Sequence, residues 1–573
     1  MANACAHEAI LRGVAERGLL RDARVLPPGP GTEAFLEGAT TVGETDVRLR
    51  AELPARFPLK LPVVSLMPWD ALGFIPHLET GSVCYTDPEG LVWDASRPAD
   101  VVEEALRRAI TVLEDGVSGR NSADFTSEFE AHWIRLKRCE HVLSVLEPAD
   151  EVRAVIMASQ PGEVPWVATS IEDLAAYRNG APAAKKPSIR NVLFLPLRRD
   201  TRLIPPRPDG PCWTPEQARQ RLLPALTDAD RRRLKKLIRR STRTYEFVIV
   251  QLPRPEGGES MFGLRFEHVG KLHPLLPGGT AMHVIPLRVD RRDKAYLVER
   301  GGGRPSLAGK RALVIGCGAV GGHIPGQLAR AGVLDLTLVD HESLTPDNTF
   351  RHRLGRKCWG MNKAQALKTE LEGQLVYLRV RAVPDQIESA IAAGKVRLQE
   401  FDVVVVALGK PTVELWLNEQ LVDLVNGPAV VFAWVEPLGI GGHALLVTDA
   451  SQCGCFACLY TSAEDEPLIN RAAFAAPGQR FGKALTGCGS LHTPYGALDA
   501  ERTALLASEL AVEYLAGDER QGTLASWRGD ATAFAQQYSL APRFGSTDEQ
   551  LNEQRHQFRH PSCPVCSQKA VAA

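Results

Sequence analysis

At 573 residues the chain exceeds what one hydrophobic core can organise, and about three or four domains are expected. Its 67 Lys and Arg against 68 Asp and Glu leave a formal net charge of −1, so there is no general electrostatic case for a nucleic-acid or membrane-surface partner. Its 12 cysteines form no disulfide scaffold at this length, and those that cluster point to metal or catalysis. No apolar run approaches the ~20 residues of a membrane-spanning helix, and Met1 to Glu8 lack the charged and apolar regions of a signal peptide. A soluble, cytoplasmic protein is expected.

Residues 1–145 read as a first domain. A short amphipathic helix is predicted over 7–20, with Ile10, Leu11 and Val14 inward, and Val47, Leu49, Ala51 and Leu53 alternate with polar residues as in a half-buried strand. Phe57-Pro58-Leu59-Lys60-Leu61-Pro62-Val63 sets two prolines in a turn that leads into another strand. Ile75-Pro76-His77, Gly81-Ser82-Val83-Cys84 and Trp93 follow. A helix is predicted through Val101, Val102, Ala105, Leu106, Ala109 and Leu113, and a second near 122–139.

The order and spacing of Phe57 to Pro62, Gly81 to Cys84 and Trp93 resemble the ubiquitin-conjugating enzymes. That family carries Tyr-Pro-Phe-Lys-Pro-Pro, His-Pro-Asn, Gly-X-Ile/Val-Cys and then a Trp. The resemblance implies an α+β fold with Cys84 as the thioester cysteine. A thiolate is a good nucleophile, and its thioester is a reactive acyl donor to amines. The Asn that stabilises the oxyanion in the family is absent, and His77, just after Pro76, is the candidate hydrogen-bond donor in its place. A buried structural Cys84 is the alternative.

Between 146 and 300 the composition shifts towards Pro, Arg and short β-rich runs. Asn191 to Leu195, Phe247 to Val250 and Met282 to Ile285 read as strands separated by Pro-rich loops, so an ordered α+β connector is expected. The basic run Arg231 to Arg240 has Leu234, Leu237 and Ile238 on one helix face and Asp228 and Asp230 in its first turn, which is the pattern of a solvated helix.

From 301 to 573 strands and helices alternate. Ala312 to Ile315 reads as a strand, Gly316-Cys317-Gly318-Ala319-Val320-Gly321-Gly322 as a tight turn, and Ile324, Leu328 and Ala331 as a helix face. Leu336 to Val339 forms a second strand closed by Asp340. Gly316, Gly318 and Gly321 let the backbone turn and approach phosphate, the helix N-terminus offers free N–H groups, and Asp340 accepts from ribose hydroxyls. Many nucleotide-binding families share that pattern alone. Asn348, Arg351, Arg353 and Lys363 follow closely, and so many cations suit the phosphates of a nucleoside triphosphate better than a hydride carrier.

This stretch resembles the ThiF-like adenylating superfamily, which includes the ubiquitin-activating enzymes. The resemblance implies an ATP site in which Asp340 holds ribose while Asn348, Arg351 and Lys363 hold ATP, the last two catalytically. It also implies Mg2+ and a homodimer through this domain, with Arg300 a candidate contributor from that side. Phe401 to Leu408 is apolar at nearly every position, as a central parallel strand should be. Superfamily members often end this strand in Thr-Asp-Asn, whose Asp helps place magnesium. Here the positions are Leu408-Gly409-Lys410, which leaves the metal-placing acid open, with Glu414 nearby in sequence.

Cys455 and Cys458, with Cys563 and Cys566, offer four soft thiolates in two tight hooks, which suits a closed tetrahedral Zn2+ site that pins the C-terminal tail to the domain. Cys488, flanked by Gly487 and Gly489 between the hooks, is by the resemblance the first thioester carrier; a structural thiol is the alternative.

The expected fold class is α/β. It comprises an α+β ubiquitin-conjugating-like domain over 1–145, an α+β connector over 146–300, and a Rossmann-like ThiF-type adenylation domain with structural zinc over 301–573. That order of parts resembles the ubiquitin-transferase-like fusions of bacterial CBASS antiphage systems. It implies a bacterial enzyme that adenylates a protein's C-terminal carboxylate, with a cGAS-like nucleotidyltransferase as the expected acyl donor. The acyl group passes to Cys488, then Cys84, then a target amine. A separate ubiquitin-like or sulfur-carrier protein as donor, and a non-catalytic nucleotide-binding scaffold, remain the alternatives.

Overall fold

The structure is a computed structural model that describes residues 2–26, 34–87, 89–177, 187–208, 210–238, 244–461, 470–484 and 491–567. It divides into two compact units. The first is Met1–Ile171 with Lys185–Arg291, and the second is Glu172–Ala184 with Arg292–Ala573.

The first unit opens with helix α1 (Ala2–Glu16) and a sheet of β1 (Arg21–Leu26), β2 (Phe35–Val42), β3 (Thr45–Glu52), β4 (Val63–Met67), β5 (Leu78–Glu79) and β6 (Ser82–Val83), in the order β1-β2-β3-β4-β6-β5. Period-two alternation buries Val47, Leu49 and Ala51 of β3 on one face. Helix α2 (Pro98–Ser118) turns Val102, Ala105, Leu106, Ala109 and Leu113 onto that core, a stripe at helical spacing. Each of the larger aliphatic side chains there contributes about 1.5–3 kcal/mol by leaving water. Proline at its start and Gly119 in the left-handed conformation (φ 75°) at its end bound the helix.

A single helix near 122–139 does not form. Glu128, at φ −98° and ψ 15°, separates α3 (Asp124–Ser127) from α4 (Phe129–Trp133). The aromatic face of α4 packs on a closed barrel, with Phe129 4.5 Å from Phe262 between ring centroids and Trp133 Nε1 donating to the Leu287 carbonyl at 3.2 Å. The barrel strands are β7 (Glu140–Ser144), β8 (Arg153–Ser159), β9 (Trp166–Ala168), β10 (Ser188–Pro196), β11 (Tyr245–Pro253), β12 (Glu259–Glu267) and β13 (His283–Arg291). They close in the order β10-β11-β12-β13-β7-β9-β8 around Val155, Met157, Phe194, Ile249, Met261 and Leu287.

The division at residue 145 therefore falls beyond β7, which pairs in parallel with β13 inside the barrel. Strands β8 and β12 were not expected; β12 is buried along most of its length and shows no alternation. The basic run does form a helix, Asp228–Leu237, with Leu234 and Ile238 buried, but Leu237 is exposed. Two of its cations are used locally: Arg231 donates to the Leu223 and Leu226 carbonyls, and Arg233 pairs with Glu151; Arg239 and Arg240 lie outside the described residues.

The second unit is built on a seven-stranded sheet. Its members are β14 (Arg311–Ile315), β15 (Asp335–Val339), β16 (Arg379–Val383), β17 (Val403–Val406), β18 (Ala429–Val435), β19 (Gly441–Val447) and the strand Thr523–Arg528. The order is β16-β15-β14-β17-β18-β19 and then Thr523–Arg528, parallel through β18 and antiparallel at the last two. All four valines of β17 are buried, as a strand covered on both faces requires. Helix Ala497–Ala516 lays Ala500, Ala504, Ala507 and Ala511 on the sheet at three- and four-residue intervals, and these small side chains join Val405, Val431 and Ala444 in one core. The direction of chain progress reverses between β14 and β17, the place where open parallel sheets leave a crevice. No helix among the described residues is long and apolar enough to cross a membrane.

Candidate functional site: a glycine-turn cleft, a thiol and a four-cysteine cluster

A cleft opens at the carboxyl ends of β14, β15 and β17, lined by Gly316, Gly318, Asp340, Glu342, Asp385, Glu388, Leu408 and Lys410 among others. Gly316 turns at φ 87°, and a Cβ there would lie 2.6 Å from the Ala407 carbonyl oxygen; a Cβ on Gly321 would overlap the Gly316 carbonyl. Gly318 differs, since a Cβ there meets nothing within 4 Å, so this residue faces the open cleft. The Asp340 carboxylate is buried and already directional: Oδ2 accepts from Cys317 N–H and Oδ1 from Glu342 N–H, both at 2.7 Å.

Lys363 begins the helix Lys363–Gln374 and is buried, with Nζ 2.6 Å from Glu342 Oε2. That ammonium holds the Glu342 carboxyl below its ordinary range and reaches the cleft through it. Asn348 and Arg351 lie on the following arm and are not cleft-lining residues. Asn348 Oδ1 accepts from Thr345 N–H at 3.2 Å, and the Arg351 guanidinium sits over the Tyr495 ring, 5.0 Å from its centroid. Arg300 is exposed at the end of the helix Lys294–Arg300. Gly409 has φ 64°, and the buried Glu414 accepts from the N–H groups of Leu408 and Gly409 at 3.2 and 2.9 Å, so Glu414 braces this turn. Burial pushes its carboxyl up to about 7.

Sequence reasoning missed Glu342, Asp385, Glu388 and His352, and gave Lys410 no role beyond its place at the strand end. The first three belong to no motif and meet at the cleft only through the fold. His352 sits between Arg351 and Arg353, and that break in the cationic run was its only signal.

In the first unit Cys84 is exposed just after β6, and its N–H donates to the His77 carbonyl at 2.8 Å. The proline-bounded turn and Trp93 build its surroundings: Trp93 Nε1 donates to the Pro58 carbonyl at 2.7 Å and Tyr85 Oη to that of Pro62 at 2.6 Å. Burial, then the Glu128, Glu79 and Asp87 carboxylates, push the Cys84 thiol up, opposed by Arg135. His77 Nε2 is 2.8 Å from Asp124 Oδ2 and Nδ1 is 3.3 Å from Glu128 Oε1. Glu128 foremost, and then Asp124, push its imidazole up to about 9. Nε2 is thereby committed to Asp124, while Nδ1 is buried near Glu128 without a hydrogen bond of its own.

Cys455, Cys458, Cys563 and Cys566 are fully buried and their sulfurs lie within 4.8 Å of one another. Cys455 and Cys563 sulfurs are 3.8 Å apart and those of Cys458 and Cys566 3.4 Å. A tetrahedral zinc with ~2.3 Å bonds sets sulfurs ~3.8 Å apart, so the donor set and its spacing are compatible with Zn2+. Asn418 orients the first hook, its Nδ2 donating to Cys455 Sγ at 3.5 Å and its Oδ1 accepting from Phe456 N–H at 2.9 Å. Cys488 lies outside the described residues.

A tight glycine turn on a Rossmann-like sheet and an exposed cysteine on a separate conjugating-type unit define the class. Residues 34–142 match the model of prokaryotic E2 family B, and residues 296–515 match that of the ThiF family. The chain is a fusion of a prokaryotic E2 domain with a ThiF domain, the pairing of an ATP-dependent conjugating enzyme. It is 27% identical over 475 residues to the ATP-dependent ubiquitin transferase-like protein Cap2 of Pseudomonas aeruginosa, covering 80% of this chain and 83% of that one. It is 24% identical over 582 residues to the Escherichia coli protein of the same name, covering 93% of each. A crystal structure of E. coli MccB with ATP aligns with 47% of this chain and 69% of its own at 17% identity and a TM-score of 0.33.

Proposed function

We propose that this chain adenylates the C-terminal carboxylate of a protein and conjugates that protein to a target amine in bacterial antiphage defence. The expected acyl donor is a cGAS-like nucleotidyltransferase. The carboxylate attacks the α-phosphorus of ATP and expels pyrophosphate; the Cys488 thiolate then attacks the acyl carbon and expels AMP. Exchange moves the acyl group to Cys84, and an amine displaces that thiolate to form an amide. The observation that carries this reading is one chain holding both a glycine-turn cleft, with Asp340 and Lys363 behind it, and an exposed Cys84.

In this reading Asp340 receives ribose while Lys363, Arg351 and Asn348 hold the phosphates, with Lys363 exchanging Glu342 for phosphate oxygen. Glu342, Asp385 and Glu388 are the further oxygen donors that line the cleft, and these would hold Mg2+. The four cysteines hold a structural Zn2+, and the exposed Phe350 and Leu498 offer apolar surface to a homodimer through the second unit.

The test uses a cGAS-like nucleotidyltransferase as donor and reads DTT-sensitive adducts by mass spectrometry. Cys488→Ala should still make acyl-adenylate but load nothing on Cys84. Cys84→Ala should trap the donor on Cys488 and yield no isopeptide. Loading of Cys84 at the wild-type rate in Cys488→Ala would show transfer to be direct.

A further inference from the structure

His352 has no place in the ATP contacts proposed above, yet both of its ring nitrogens are committed beside the glycine turn. The side chain is buried, with Nε2 2.6 Å from the Cys317 carbonyl oxygen. Nδ1 lies 3.0 Å from the backbone nitrogen of Leu354. A backbone N–H can only donate, so Nδ1 accepts and the ring hydrogen sits on Nε2, donating to Cys317. Cys317 is thereby held on both sides, its N–H by Asp340 Oδ2 and its carbonyl by His352. The ring also packs against the backbone of Gly322, where a Cβ would come within 3.2 Å of Cε1 and Nε2.

On either side along the chain, Arg351 stacks on Tyr495 and Arg353 pairs with Glu370 at 3.2 Å. His352 thus fastens the cationic arm to the glycine turn through its Nε2–H. A second proton would have to enter on Nδ1, where it would cost the Leu354 bond while the Nε2–H bond to Cys317 remained. The charged groups facing the ring are Lys363, at the start of its helix, His323, before the helix Ile324–Ala331, and Asp340, at the end of β15. Burial first, then Lys363 and His323, hold the imidazole below its ordinary value against the Cys317 hydrogen bond and Asp340.

We propose that His352 is a positioning residue whose neutral ring pins the Asn348–Arg353 arm to the glycine turn through its Nε2–H bond to the Cys317 carbonyl. This rests on the ATP reading of the cleft. The test is MgATP binding to the full chain by calorimetry at about pH 7.5, with melting of the second unit read beside it. His352→Gln can donate to the Cys317 carbonyl, so it should bind close to wild type. His352→Phe, which fills the space without the bonds, should bind at least about tenfold more weakly while the second unit still folds.

Wild-type affinity in His352→Phe, or an equal loss in His352→Gln and His352→Phe, would overturn the proposal. No MgATP binding by the wild type at about pH 7.5 would instead remove the ATP reading, and this inference with it.

Discussion

The surroundings of Cys84 and those of the glycine turn each contain an organising histidine, and the two are held in opposite ways. His77 lies between the carboxylates of Asp124 and Glu128 and is pushed up to about 9, so it is an imidazolium at neutral pH. His352 is held between a backbone carbonyl and a backbone N–H and is kept neutral by burial. Partners that carry charge select the charged ring, and partners that are peptide dipoles in a dry setting select the neutral one. The thiol region is thus ordered by ion pairs that pH and solvent reach. The glycine-turn region is ordered by backbone geometry, in a unit that also holds a buried four-cysteine cluster.

The largest effect that tests this contrast concerns the four-cysteine cluster. Purified protein should carry about one zinc per chain, and Cys455→Ser or Cys566→Ser should destabilise the second unit by several kcal/mol, a fraction of the ~10–16 kcal/mol of structural zinc sites. The first unit should melt unchanged. Metal analysis that finds no zinc in unchelated protein would remove this half of the contrast.

Next in size is Lys363→Ala. Losing a cation from a transition-state phosphate site costs about 3–4 kcal/mol, or roughly 100- to 1000-fold in rate. Acyl-adenylate formation should fall by that factor while zinc content and the melting of both units persist. Adenylation within a few-fold of wild type would show that the buried ammonium serves Glu342 alone.

The smallest effect is the pH dependence of the first unit. His77 rises from 6.5 to about 9 on folding, so the stabilisation from its carboxylates is full below about pH 6.5 and is lost as pH climbs through about 9. The shift corresponds to about 3 kcal/mol at most, and solvent around Asp124 and Glu128 reduces that to about 1–2 kcal/mol. Urea unfolding between pH 7 and 10 should show this loss in wild type and a flatter profile in His77→Phe. Parallel profiles would mean that the ion pairs order nothing.

Much of this could be read along the chain because the relevant physics is local. The glycine turn follows from backbone sterics within a few residues, the valines of β17 announce a strand covered on both faces, and each Cys-X-X-Cys hook is fixed by its own spacing. Alternation and helical period likewise gave β3 and α2, because they record which face leaves water. What the chain could not state is which distant partner each face meets. Closure of the barrel, and the loss of α4 and β7 from the first domain to it, depend on aromatic packing between segments far apart in sequence. His77 finds Asp124 across 47 positions, His352 finds Cys317 across 35, and Cys455 meets Cys563 across 108. Gly409 reads as a missing acid in sequence, but in the fold it is a positive-φ turn braced by Glu414. Local sequence sets backbone conformation and amphipathic faces; only the folded chain decides which charges and dipoles those faces bring together, and hence the protonation state of each histidine.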